Sequence, residues 1–136
     1  MIRTISPQDM REMERAFLEG TGYPSILLME HAAQAVVDAL SAYAKAGSRV
    51  LFVCGSGNNG GDGFAAARHL LIGGAAVTVL KSDADEVYKN DAAVNLAILR
   101  RFDGERLRIF DTPELTDSEI SSLIGGARCV IEGLLG

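Results

Sequence analysis

Nine consecutive residues, Gly55-Ser56-Gly57-Asn58-Asn59-Gly60-Gly61-Asp62-Gly63, hold five glycines, two amides and one carboxylate. An apolar run, Val50-Leu51-Phe52-Val53-Cys54, precedes them, and a helical pattern follows. A strand, a glycine loop and a helix in that order make an anion site. The orphan backbone N–H groups and the positive end of the helix dipole both point at the loop. Gly55, Gly57 and Gly60 satisfy G-x-G-x-x-G, which alone is a weak sign of dinucleotide binding. Asn58, Asn59 and Asp62 add oxygens that a plain pyrophosphate loop does not need, so the segment can serve a cation as well as an anion. No Gly-Lys-Ser/Thr follows the glycines, no G-x-S-x-G occurs, and neither cysteine stands beside a histidine. P-loop and simple nucleophilic chemistry are thereby set aside. His31 and His69 lack metal-ligand spacing. His69 reads as a locally packed helix residue, and His31 as either a crevice residue or a helix-surface one.

The elements that must position this loop follow from pattern. Ser6 as N-cap, Pro7 at the first turn and Asp9 just inside begin a helix that runs to about Glu19, where Gly20 and Gly22 stop it. A second helix opens near Pro24-Ser25 and extends to about Ala46-Gly47, with Met29, Ala33, Val36, Leu40 and Tyr43 as its buried stripe. From Arg49 strands and helices alternate. Strands are expected over 49–54, 75–80, 107–110 and 127–131. The helices between them are expected over 62–72 and 88–101 and, opened by the capping box Thr116-Asp117-Ser118-Glu119, to Ile124. Such alternation requires a parallel sheet covered by helices with right-handed crossovers. The expected fold is α/β: a three-layer αβα, Rossmann-like, doubly wound and mostly parallel sheet of order 3-2-1-4, preceded by two N-terminal helices.

A chain of 136 residues makes one domain. Hydrophobic content of 48% with 23% charged residues is that of a globular protein. A net charge of −5 argues against nucleic acid or an anionic membrane as partner. No apolar run reaches membrane-spanning length, and no basic-then-apolar leader opens the sequence, so a cytoplasmic location is expected. Cys54 and Cys129 lie in apolar runs and read as buried free thiols.

Gly55–Gly63, continued by Phe64-Ala65-Ala66-Ala67-Arg68-His69-Leu70, resembles the G-x-G-N-N-G-G-D-G-x-x-A-A-R-H-L signature of the YjeF N-terminal domain, the fold of NAD(P)H-hydrate epimerases. Met10–Arg15 and Tyr23–Glu30 are similar to that family's N-terminal helices, with His31-Ala32-Ala33 where its members often read N-A-G. Val130-Ile131-Glu132-Gly133-Leu134-Leu135-Gly136 resembles its V-D-A-L-[FL]-G-T-G segment, with Glu132 in place of Asp.

The resemblance implies epimerisation of the R form of hydrated NADH or NADPH to the S form, a repair of damaged nicotinamide nucleotides. It implies that Asn58, Asn59, Gly60, Gly61, Asp62 and Gly136 cradle the substrate. It implies a potassium ion held by Asn59 and Glu132, and Asp62 or Glu132 as acid/base. It also implies that the family's later loop and strands lie beyond Gly136, so the domain is expected to be incomplete, with strand four an uncovered apolar edge. A homodimer is an expectation from that edge and the long N-terminal helices. Two other readings stand beside this one. One is a non-catalytic nucleotide-binding or scaffolding module of the same fold. The other is a fragment of an ordinary dinucleotide-dependent oxidoreductase, in which Asp83 or Asp85 after strand two would hold a ribose, although both read more readily as surface charges. Arg100, Arg101, Arg106 and Arg108 read as a solvated basic cluster at a helix end.

Overall fold

The computed structural model describes residues 4–102 and 104–134. Two helices, α1 (Pro7–Thr21) and α2 (Ser25–Leu40), lead into β1 (Arg49–Cys54). There follow α3 (Asn58–Ile72), β2 (Ala76–Lys81), α4 (Asn90–Leu99), β3 (Leu107–Asp111), α5 (Asp117–Gly125) and β4 (Cys129–Gly133). All pairings are parallel and the order is β3-β2-β1-β4, as expected from right-handed crossovers.

The helix starts are written in side chains. Ser6 and Asp9 form a reciprocal capping box with Pro7 in the first turn of α1, and Thr116 with Glu119 does the same for α5. Gly22, at φ 67°, closes α1 in the left-handed region that glycine favours.

Strand alternation sets the layers. Val50, Phe52 and Cys54 of β1 and Val77 and Val79 of β2 point to one face, where they join Phe64–Ala67 and Leu70 of α3 in the core. Leu51, Thr78 and Arg108 point to the other, beside Ser122 and Leu123 of α5. The α3 helix is buried nearly all round, because the sheet, α2 and α4 each take one of its sides.

Several boundaries differ from expectation. The α2 helix ends at Leu40 rather than near Ala46, because tight turns follow: Ser41 N–H bonds the Asp38 carbonyl, and Gly47 (φ 81°) bonds Gly74. Tyr43 therefore leaves the buried stripe and is 56% exposed. The α4 helix spans Asn90–Leu99 rather than 88–101, and a short 3-10 turn, Asp85–Val87, precedes it. The β4 strand runs two residues later than expected, because its register with β1 pairs Val53 with Glu132 and Cys54 with Gly133. Glu132 is thus inside the strand, not after it. Among the described residues the strand is an edge, and Val130 on it is 45% exposed. Cys54 is a buried free thiol, as expected, while Cys129 is free and partly buried.

Candidate functional site

The largest correction falls on the glycine segment itself. Residues 58–61 are not loop: α3 begins at Asn58, with Gly57 as N-cap, so Asp62 lies inside the helix rather than opening it. Nor do these glycines serve turns. The positive-φ glycines are Gly22, Gly47, Gly74 and Gly104, none of them in the segment. Their service is close approach. A Cβ on Gly60 would overlap the Gly55 carbonyl oxygen, one on Gly61 would lie 2.6 Å from the Met29 methyl, and one on Gly63 2.7 Å from the Cys54 sulfur. Glycine's weak helix propensity is overridden because only a bare backbone lets α3 sit this tightly on β1 and α2.

The N-terminus of α3 opens into a cleft of about 560 Å³, within the range of small-molecule sites. Its floor is Gly57, Asn58, Asn59 and Asp62; Leu134 after β4 and Asp91 of α4 flank it. Its far wall is α1, through Met10, Arg11, Glu14 and Leu18, and α2 adds Leu28 and Met29. Gly57, the N-cap of α3, has no side chain to offer the first turn.

Asp62 carries the unusual acid–base character of this cleft. Burial, and then the negative charge of Glu14 across from it, push its carboxyl up to about 6 from an ordinary 3.8. Such a group exchanges protons near neutral pH. The α2 and α3 helices are joined through charged side chains. Glu30 of α2 bonds both Arg68 and His69 of α3, the latter at 2.6 Å. Burial raises the Glu30 carboxyl's affinity for a proton, but the bonds from Arg68 and His69 hold it below the usual range. His69 is therefore spent on an interhelical clamp, in keeping with its reading as a locally bonded residue. His31 is exposed near the Tyr23 ring and does not line the cleft.

The carboxyl end of β2 holds a second network. Lys81 is wholly buried, paired with Asp85 at 2.6 Å and with Asp111 of β3. Arg100 grips the same Asp85 through two nitrogens at 2.5 and 2.8 Å. Asp85 is thus an ion-pair partner and not the loose surface charge its sequence suggested, and its oxygens are engaged where a Rossmann ribose would bind. Arg100 is likewise taken out of the expected solvated cluster, and Arg106 donates to the Leu71 and Ala75 carbonyls.

Of the residues singled out in sequence, Asn58, Asn59 and Asp62 line the cleft. Gly60 and Gly61 are buried behind it and shape the helix rather than its mouth. Gly133 backs directly onto Asn59, for a Cβ there would lie 2.9 Å from the Asn59 carbonyl oxygen. Glu132 is a neighbour in sequence, but its exposed carboxylate accepts from the Leu134 N–H at 2.5 Å and does not line the cleft. Gly136 lies outside the described residues. Arg11, Glu14 and Asp91 were missed. The Met10–Arg15 segment was visible, but charges on a helix read as a solvated face until the helix is docked across a site.

Residues 25–136 match the family described as YjeF-related protein N-terminus. The chain belongs to that family. It is 39% identical over 135 residues to the bifunctional NAD(P)H-hydrate repair enzyme Nnr of Thermanaerovibrio acidaminovorans, covering 99% of this chain and 25% of that protein. It is 35% identical over 129 residues to the NAD(P)H-hydrate epimerase of Rhodopirellula baltica, covering 95% of this chain and 50% of that one. The chain thus spans a quarter to a half of the length of these curated relatives. Among solved structures, the yeast protein YNL200c superposes with a TM-score of 0.72 over 99% of this chain and 57% of its own, at 22% identity, which speaks to fold alone. Among the described residues no helix is long and apolar enough to cross a membrane.

Proposed function

We propose that this chain forms the nicotinamide-nucleotide site of an epimerase that converts the R form of hydrated NADH or NADPH into the S form. The observation that carries the reading is the cleft at the α3 N-terminus, where Asn58, Asn59 and Asp62 of the signature meet α1. Two relatives of this chain are named for hydrates of NAD(P)H. The ion pairs at Asp85 take that carboxylate out of the ribose-binding role that the oxidoreductase alternative would give it.

The chemistry asked of the site is modest. The hydrated carbon carries both a hydroxyl and the ring nitrogen. When the hydroxyl gives its proton to a carboxylate and the carbon–nitrogen bond breaks, the electron pair goes to nitrogen, which takes a proton. The resulting open aldehyde recloses on either face, and no redox partner is needed. Asp62 is the acid/base in this reading, because a carboxyl held at about 6 can accept and return that proton near neutrality. Glu132, outside the cleft, is given the other role.

That role is the potassium ion, which would be held by Asn59 and Glu132. Their donors are an amide and a carboxylate oxygen, and Gly133 brings the end of β4 against the Asn59 backbone. A carboxylate retains acceptor capacity beyond its bond to the Leu134 N–H, so the donor set suits a hard cation. A bound cation there would supply positive charge beside the anionic nucleotide.

The test is chiral separation of an R-enriched hydrated NADH sample, incubated in potassium buffer with and without the protein. Faster approach to the R/S equilibrium, lost in Asn59→Ala, is expected. A rate equal to the uncatalysed one would overturn the epimerase assignment in favour of a binding module.

A further inference from the structure

The cleft is acidic where it should not be. A dinucleotide brings a diphosphate, yet Glu14, Asp62 and Asp91 all line the cavity. Uncompensated, three carboxyl groups around one anion would oppose binding. Among the described lining residues one basic side chain is present, Arg11 on the α1 wall.

Two features set this arginine apart. First, it is exposed and makes no hydrogen bond or ion pair among the described residues, although it lies on the same helix as Arg15, which pairs with Glu19 at 3.7 Å. Secondly, it lines the same cleft as the first-turn residues Asn58 and Asn59 of α3. A guanidinium and the N-terminal end of a helix thus share one cleft, and both favour an anionic group.

Building on the nucleotide reading above, we propose that Arg11 is a specificity-determining residue that grips the diphosphate of the bound nucleotide from α1. The acidic surroundings then have a use: carboxylates accept from ribose hydroxyls, while they repel any anion that cannot reach Arg11. Because the other ionisable groups of the lining are acidic, affinity for the diphosphate rests unusually heavily on this one side chain. It should also fall steeply with added salt.

The experiment is calorimetric titration of two probes, ADP-ribose, which carries the diphosphate, and nicotinamide riboside, which carries no phosphate. Wild type, Arg11→Gln and Arg11→Lys are compared. Arg11→Gln is expected to weaken ADP-ribose by about tenfold or more, the scale of a charge-assisted hydrogen bond, and to leave nicotinamide riboside unchanged. Arg11→Lys should recover part of the loss, since it restores charge without the planar fork. Both variants change an exposed, unbonded side chain, and their helical circular dichroism should match wild type. Equal binding of ADP-ribose by wild type and Arg11→Gln, or an equal loss for both probes, overturns the assignment of Arg11 alone. Failure of wild type to bind ADP-ribose or hydrated NADH at all overturns the nucleotide reading and this assignment with it.

Discussion

Asp62 shows how a site residue differs from a stabilising one. Its carboxyl is held at about 6, above its ordinary 3.8, first by burial and then by Glu14. The folded state therefore binds a proton more tightly than the unfolded chain does. Its contribution to stability is present in full below pH 3.8 and is lost as pH rises through about 6. Replacing it with asparagine removes that slope. Urea unfolding of Asp62→Asn and wild type should give similar stabilities at pH 4. At pH 7 the variant should be more stable by about 1–2 kcal/mol, once the partial exposure of the carboxyl is allowed for. Equal differences at both pH values would mean that Asp62 is not strained by its surroundings. The residue types of the site were legible in sequence. The strain was not, because Glu14 lies 48 positions away on a helix that only the fold brings alongside.

At the scale of the element, α3 was recognised for the right residues and the wrong reason. Glycines and asparagines read as loop, since both disfavour helix interiors and tolerate turns. The fold makes them the first turn of the helix, because Gly60, Gly61 and Gly63 are contact points against Gly55, Met29 and Cys54. Two substitutions separate these accounts. Gly60→Ala must push against the backbone of residue 55 and should cost about 3 kcal/mol in chemical denaturation. Gly57→Ala meets nothing within 4 Å and sits at φ −86°, so it should cost less than about 1 kcal/mol. Equal costs would restore the loop reading. The capping boxes at Ser6 and Thr116 were legible for the opposite reason: their chemistry is local, and nothing distant alters it.

For the whole molecule, strand order followed from alternation and handedness, so it could be read from sequence. Burial of a lysine could not. Lys81 ends a strand, and Asp85 and Asp111 close over it from a turn and a neighbouring strand. The sheet's edges are where stability and solubility part company. Val130 stands exposed on β4, with Leu134 beyond it at 43% exposure. An apolar edge strand invites pairing with another chain. Val130→Lys should lower self-association in light scattering while shifting the unfolding free energy by no more than about 0.5 kcal/mol. Unchanged association would mean that this edge is already protected.

The α1 helix lines the site through Arg11 and Glu14, yet none of its residues is buried. An element with so little apolar surface hidden opens at low free energy, well before the sheet beneath it. The cleft is complete only in the fraction of molecules whose α1 is docked, and apparent affinity is the intrinsic affinity multiplied by that fraction. Ligand and helix are then bound by reciprocity: whatever grips both walls slows amide exchange in residues 7–21, and whatever loosens that helix releases the ligand.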